Sequence, residues 1–169
     1  MMQLQSNKKI AYISLLIALS IIFSYVESMI PINFGIPGVK VGLANIVSVI
    51  ALQMFGVWVS VLVIVLRVLL SGVMFGNAFS IIYSLAGGIV SVIIMAVLNK
   101  TNRFSIIGIS IGGGVFHNLG QLFVACIVIE QLKLAFYGPI LIISGVVMGT
   151  IVGIISKMIL KRIPYYNIK

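Results

Sequence analysis

The sequence predicts an all-α, polytopic membrane protein with six transmembrane helices, and three observations carry this prediction. Of the 169 residues, 62% are hydrophobic and only 8% are charged, whereas a water-soluble domain carries about 25% charged residues. The apolar residues form long runs, and one crossing of a bilayer needs about 20 such residues. Basic residues gather at the ends of these runs, as in membrane proteins. A water-soluble globular domain is therefore excluded.

Six apolar runs define the predicted helices. Lys8 and Lys9 precede the first run, and no small-residue cleavage site follows it, so we expect a retained helix and not a signal peptide. The prolines and glycines of residues 31–39 predict a loop, and Gly56 predicts a tight reversal. The second run is short for a crossing. The predicted helices cover residues 10–30, 41–54, 57–70, 78–98, 104–130 and 138–160, with turns at 71–77, 99–103 and 131–133.

The distribution of positive charge predicts how these helices are oriented. Loops on the cytoplasmic side of a membrane protein carry an excess of lysine and arginine. With the amino terminus inside, eight basic residues fall on the cytoplasmic side, and only Lys40 and Lys133 fall outside. We therefore expect a multi-pass protein of the cell membrane. Residues 1–9 form a cytoplasmic amino terminus, residues 10–160 the transmembrane domain, and residues 161–169 a cytoplasmic tail.

The composition also excludes several kinds of chemistry. The chain has no aspartate, and its only carboxylate side chains are Glu27 and Glu130. Mg²⁺-dependent diphosphate chemistry generally needs several carboxylates, and residues 35–40 lack the spacing of a P-loop. Cys126 is the only cysteine and His117 the only histidine, so no zinc site is expected. The basic residues form no continuous stripe for nucleic acid. We expect no catalytic residue, metal or cofactor.

Polar side chains inside the apolar runs predict a binding site. A charge at bilayer depth costs several kcal/mol unless it is paired or hydrated, so each one needs a reason. In the predicted orientation these residues gather in the outer half of the membrane and form a polar pocket that opens to the outside. The candidate substrate-binding residues are Glu27, Lys40, Asn45, Arg67, His117, Asn118 and Gln121.

Several of these residues also have a purely structural interpretation. Arg67 either pairs with Glu27 or offers a fork of donors to an anionic substrate. Lys40 is either an ordinary loop charge or a lid residue that meets the ligand. His117 is either a satisfied interior histidine, a ligand contact or a proton carrier. The glycines at 112–114 indicate either close helix packing or a local opening of the helix beside His117.

Small residues spaced four apart predict close contacts between helices in lipid. Such contacts either hold the bundle together or dock a helix of a partner protein. The pair on the first helix is the better docking candidate, because it lies near the cytoplasmic end. The groups are Ser14 and Ala18, Gly108 and Gly112, and Gly145, Gly149 and Gly153.

Three segments together carry a family resemblance: Pro-Gly-Val-Lys-Val-Gly-Leu-Ala-Asn at 37–45, Arg-Val-Leu-Leu at 67–70, and His-Asn-Leu-Gly-Gln at 117–121. They resemble the Gx transporter family, long labelled heptaprenyl diphosphate synthase component I. That family is grouped with the substrate-binding S components of energy-coupling-factor (ECF) transporters. The resemblance extends from Lys8 to about Pro164.

The resemblance implies an ECF S-component-like bundle that captures a small polar or anionic solute from outside, under the loop that ends at Lys40. It also implies a membrane scaffold subunit and two ATPases as partners. The scaffold is usually contacted through alanines four apart on the first helix, where this sequence has Ser14 and Ala18. One alternative is a non-catalytic accessory subunit of heptaprenyl diphosphate or polyprenyl-quinone synthesis. Another is an ion-coupled carrier that uses Glu27 and His117.

Overall fold

The computed structural model describes residues 2–29 and 42–163, with side chains from residue 7 onward. These two ranges form six α-helices and one short 3₁₀ helix, and they contain no strand. The helices are α1 (Met2–Met29), α2 (Leu43–Phe55), α3 (Val57–Phe75), α4 (Ala78–Lys100), α5 (Ile106–Val128) and α6 (Gly138–Arg162), and the 3₁₀ helix (Leu132–Tyr137) precedes α6.

The predicted all-helical class is confirmed, and the helices are consistent with a multi-pass membrane protein. Five helices, all except α2, are long and apolar enough to cross a membrane. Helix α2 has 13 residues and is therefore about 20 Å long, whereas the hydrocarbon core of a bilayer is about 30 Å thick. Nine of its residues are buried, and it packs against α1, α3 and α6. This short helix is thus a central core element that its neighbours surround.

Most predicted helix boundaries lie within a few residues of the observed ones, with two larger differences. Helix α1 begins at Met2, eight residues before the predicted start. The predicted turn at 71–77 is wrong for its first five residues, because α3 continues to Phe75. Gly72 does not break the helix there. It leaves room for α4, since a Cβ atom on Gly72 would lie 2.1 Å from Cγ1 of Ile81.

The predicted reversal at Gly56 is confirmed. Gly56 alone separates α2 from α3, and its φ of 87° is in the region that side chains other than glycine rarely adopt. Asn77 marks the next reversal, where its side-chain oxygen accepts a hydrogen bond of 2.8 Å from the backbone N–H of Ser80. This contact begins α4 with a capping box.

Glycines bring α5 and α6 into backbone contact. Gly145, Gly149 and Gly153 lie on one face of α6, and a Cβ atom on any of them would lie 2.7 Å from a Cα atom of α5. The α5 partners are, in the same order, Val115, Ile111 and Ile107. Of the two interpretations that the sequence left open for these glycines, the structure supports packing inside the bundle.

Candidate functional site

One cavity of about 230 Å³ lies inside the bundle and is lined by residues from all six α-helices. It contains six of the seven residues that the sequence predicts for substrate binding. They are Glu27 from α1, Asn45 from α2, Arg67 from α3, and His117, Asn118 and Gln121 from α5. The seventh, Lys40, lies outside the described residues. The polar side chains of four separate helices therefore converge on one space, and their role in binding stays a prediction.

Arg67 is the buried charge of this cavity. The residue is only 8% exposed, and its Nη1 donates a long, and therefore weak, hydrogen bond of 3.5 Å to Oγ of Ser24. Its Nε and Nη2 atoms are also buried, and neither has a hydrogen-bond partner among the described residues. A buried donor without a partner costs about 1–3 kcal/mol, and more when it is charged. The packing of the helices therefore leaves this guanidinium with fewer hydrogen bonds than its donors can make.

The carboxylate of Glu27 is engaged elsewhere. Its Oε1 accepts hydrogen bonds from the backbone N–H groups of Gly42 and Leu43, the latter at 3.0 Å. These groups begin α2, where the helix leaves its first N–H groups without internal partners and carries a partial positive charge. Glu27 attracts Arg67 electrostatically, although no salt bridge or hydrogen bond joins the two side chains within the described residues. It connects the last turn of α1 to the first turn of α2, so the predicted pair with Arg67 is present as an attraction through space and not as a direct contact.

Helix α5 presents three of the predicted residues, and they differ in their contacts. Asn118 Nδ2 donates a hydrogen bond of 2.9 Å to the carbonyl oxygen of Leu141 in α6. Gln121 is 3% exposed and packs with His117 against Gly87 of α4. A Cβ atom on Gly87 would lie 2.6 Å from Cγ of Gln121 and 3.3 Å from Cε1 of His117. Gly87 thus leaves the space that both side chains occupy.

The local opening of α5 that the sequence left as one alternative is wrong. The helix runs without interruption from Ile106 to Val128. Gly113 and Gly114 serve close packing, because a Cβ atom on them would lie 2.6 Å from Sδ of Met95 and 2.7 Å from the carbonyl oxygen of Gly145, respectively. Because the backbone of α5 is fully helical, α5 contributes polar side chains to the cavity and no free backbone groups.

Serine hydroxyls are the lining groups that sequence reasoning missed. Ser80, Ser84 and Ser91 of α4 line the cavity, and their spacing of four and seven places them on one helix face. That spacing is visible in the sequence. The spacing is a weak signal of a binding site, because a serine in an apolar helix can bond to the carbonyl group four residues earlier. The other cavity serines are Ser24, Ser28, Ser71 and Ser110.

The chemistry that this lining permits is recognition by hydrogen bonds and one cation. Among the described residues, no group of three or more His, Cys, Asp or Glu side chains is arranged to hold a metal ion. The lining mixes amides and hydroxyls with apolar side chains, the latter from Val49, Met95, Met148 and Val152 among others. Such a mixture is typical of small-molecule pockets, which combine an apolar wall with a few placed polar groups.

Comparison with known protein families identifies a match. The family model described as heptaprenyl diphosphate synthase component I matches residues 16–159. The chain belongs to this family. The match confirms the resemblance drawn from the three sequence segments, and it spans every residue that lines the cavity. No curated protein and no solved structure matches the chain.

The predicted docking pair lies away from the cavity. Ser14 and Ala18 are both exposed on α1, four residues apart and therefore on one face. Ser20 of the same helix is fully buried and donates to the carbonyl oxygen of Ile17 at 2.7 Å. Helix α1 thus turns one face to the bundle and leaves the small-residue face uncovered by the described residues. The role of this pair in docking stays a prediction.

Proposed function

We propose that this protein is a solute-binding membrane subunit that captures a small polar or anionic molecule in the cavity for uptake into the cell. The observation that carries this proposal is a buried arginine with two unsatisfied donors beside an internal space of about 230 Å³. An apolar cavity of about 150 Å³ is enough to hold benzene. The cavity is therefore large enough for a small organic ligand.

A purely structural arginine would not be expected in this state. A buried charge inside a membrane bundle is costly, and structural examples are paired or hydrogen-bonded throughout. Here the nearby carboxylate of Glu27 serves the start of α2, and Asn45 also lines the cavity without a side-chain hydrogen bond within the described residues. Arg67 and Asn45 thus line one cavity without a full set of hydrogen bonds, and this supports a binding site in which a ligand supplies the missing hydrogen-bond acceptors and donors.

The charge pattern supports an outward-facing site. Lys100 and Arg103 lie between α4 and α5, at the end where Gln53 of α2 donates to Asn99 of α4. Because Glu27 at the end of α1 meets the start of α2, Lys8 and Lys9 at the start of α1 lie toward the same end. The cytoplasmic preference of such clusters assigns Glu27, at the end of α1, to the outer side. Lys40 lies outside the described residues, two positions before Gly42, which lines the cavity, and its part in binding stays a prediction from the sequence.

The energy for release into the cell would come from partner ATPases, since the described residues carry no phosphate-binding loop. In this proposal both termini lie in the cytoplasm and the chain makes six passes, of which the short α2 covers only part of the bilayer depth between the neighbouring helices. The exposed face of α1 with Ser14 and Ala18 would contact the membrane scaffold subunit of an ECF-type complex.

Native mass spectrometry of the full chain, purified in mild detergent, tests solute capture. We expect a co-purifying small molecule, and at least tenfold lower occupancy in Ser84→Leu, which fills the cavity. Ser14→Leu makes the same chemical change on the exposed face of α1 and should keep the small molecule. An empty wild-type cavity, or equal occupancy in both variants, would contradict the proposal.

The family match favours a second candidate, an accessory membrane subunit of heptaprenyl diphosphate synthesis. The chain would then anchor a soluble prenyltransferase through its cytoplasmic basic residues, and the partner would supply the metal-binding carboxylates that this chain lacks. This candidate predicts that a soluble prenyltransferase co-purifies with the chain and that its activity is unchanged by Arg67→Met. Co-purification of ATPases would favour solute capture instead.

A further inference from the structure

The two unsatisfied nitrogen atoms of Arg67 belong to one edge of its guanidinium. Nη1 is the atom that contacts Ser24, which leaves Nε and Nη2. In a planar guanidinium the N–H bond of Nε and one N–H bond of Nη2 point the same way, as the two prongs of a fork. Since Arg67 lines the cavity and is only 8% exposed, this fork is a preformed and desolvated pair of donors.

A carboxylate fits such a fork, and so does a phosphate. The two oxygens of a carboxylate lie in one plane and accept two parallel hydrogen bonds from an arginine edge, which adds geometric specificity to charge attraction. A neutral carbonyl or hydroxyl group offers a single oxygen without charge, so it matches neither the parallel pair of donors nor their positive charge. The geometry of the free edge therefore favours a planar, two-oxygen anion over a neutral polar group.

The charges of the cavity lining limit the charge of this ligand. Among the described lining residues, the charged side chains are Arg67 and Glu27. The Glu27 carboxylate accepts hydrogen bonds from two backbone N–H groups at the start of α2, an end that carries about half a positive charge, and it also attracts Arg67 through space. The described lining therefore leaves at most one positive charge for the ligand to neutralise. A diphosphate would bring several negative charges to one arginine with a carboxylate nearby.

The remaining lining describes the rest of the molecule. The amides of Asn45 and Gln121 and the hydroxyls of α4 offer uncharged hydrogen bonds, while Met95 and Met148 offer apolar contact. Scaling from benzene in about 150 Å³, a cavity of about 230 Å³ holds on the order of ten non-hydrogen atoms. We infer that the cavity takes a small monocarboxylate whose two oxygens bridge Nε and Nη2 of Arg67. This inference rests on the proposed function and adds the substrate class.

The minimal group of this class is acetate, and its uncharged counterpart of equal shape is acetamide. The chain has three arginines, so the protein labelled with ¹⁵N-arginine gives few Nε–H signals. We expect the Arg67 signal to shift saturably with acetate, at concentrations at least tenfold lower than with acetamide. Arg103 and Arg162 are both exposed and serve as internal references that respond alike to both compounds.

Two variants make the geometric part of the inference testable. Arg67→Lys keeps the charge but not the fork, and it should weaken acetate binding about tenfold, measured by the rise in melting temperature that acetate produces. Glu27→Gln removes the negative charge that attracts Arg67 and should keep or increase the preference for acetate over acetamide, because no hydrogen bond joins Glu27 to Arg67 within the described residues. Equal binding of acetate and acetamide, tighter binding of inorganic phosphate, or the absence of a saturable Arg67 shift would overturn the inference.

Failure of this inference is distinguishable from failure of the proposed function. If native mass spectrometry finds a neutral compound or a phosphate ester whose occupancy falls in Ser84→Leu, the cavity captures a solute and only the carboxylate assignment is wrong. If the compound is a monocarboxylate, the proposed function and the carboxylate inference are both supported. If no compound is found and the Arg67 signal does not shift with acetate, the proposed function and the carboxylate inference are both contradicted.

Discussion

The two sides of the cavity are built in different ways. On the side of α5 and α6, three glycines of α6 bring the two backbones into contact, and Asn118 adds a hydrogen bond between the two helices. On the side of α1, α2 and α3, Arg67 and Asn45 face the cavity without full hydrogen bonding among the described residues. Close backbone packing leaves little room for movement, whereas unsatisfied polar groups favour the arrival of a ligand. We interpret the contact between α5 and α6 as the scaffold and the side of α1, α2 and α3 as the ligand-responsive side, to which Gln121 of α5 adds one amide across the cavity.

The largest effect is expected where the scaffold is tightest. In Gly149→Ala the added Cβ atom would lie 2.7 Å from Cα of Ile111 and 2.9 Å from the carbonyl oxygen of Ser110. Backbone atoms of a packed helix cannot move aside as a side-chain end can, so we expect a loss of about 3 kcal/mol in unfolding free energy, at the upper end of ordinary overpacking. Unfolding with sodium dodecyl sulfate in mixed micelles measures it.

The matched control is Gly108→Ala in α5. A Cβ atom on Gly108 would lie 3.5 Å from the ring of Phe104, an ordinary contact distance. Alanine also favours a helix by about 1 kcal/mol over glycine. This variant should therefore unfold at equal or higher detergent fraction than the wild type. If Gly149→Ala and Gly108→Ala lose similar unfolding free energy, then the contact at Gly149 is not tighter than the contact at Gly108, and the interpretation is incorrect.

A change of opposite sign is expected on the ligand-responsive side. Arg67→Met removes a buried charge whose hydrogen bonds are incomplete in the described residues, and replacing buried ionic groups by apolar ones of similar volume is often stabilising by about 1–4 kcal/mol. We expect the ligand-free protein to gain about 1–2 kcal/mol in the same unfolding assay. At the same time the co-purifying solute should disappear from the native mass spectrum. A loss of stability would show that Arg67 serves the fold.

The connection between α1 and α2 should respond more mildly. Glu27→Ala removes the acceptor for the backbone N–H groups of Gly42 and Leu43, and loss of a helix-capping acceptor costs about 1 kcal/mol. We expect faster hydrogen exchange at these two amides and little change at amides in the middle of α6. Unchanged exchange at residues 42 and 43 would mean that Glu27 does not hold the start of α2.

The fold class could be predicted from the sequence because the requirement for long apolar runs is strong and local. Gly56 was predicted correctly as a reversal for the same reason, since it stands alone between two runs and adopts a positive φ. Gly72 was misread as part of a turn. Gly56 and Gly72 look alike in the sequence. The position of Ile81 in the neighbouring helix shows that Gly72 is a packing contact and not a helix break.

The gathering of polar residues in one cavity could also be predicted, because each polar side chain inside an apolar run needs a partner. What Glu27 binds could not be predicted. Its partners are backbone N–H groups at the start of α2, and every residue except proline carries such a group. The serines of α4 were missed because a hydroxyl can bond within its own helix, which makes it a weak signal.

The smallest effect concerns two asparagines that the sequence treated alike. Asn118 donates to Leu141 of α6, whereas no side-chain hydrogen bond holds Asn45 within the described residues. Asn118→Ala should lose about 0.6 kcal/mol, the average for a hydrogen bond between membrane helices, and should keep solute occupancy within about twofold. Asn45→Ala should keep stability and lose the solute. Unfolding and native mass spectrometry of both variants distinguish a scaffold residue from a ligand residue, and an exchange of these outcomes would place the ligand against α5.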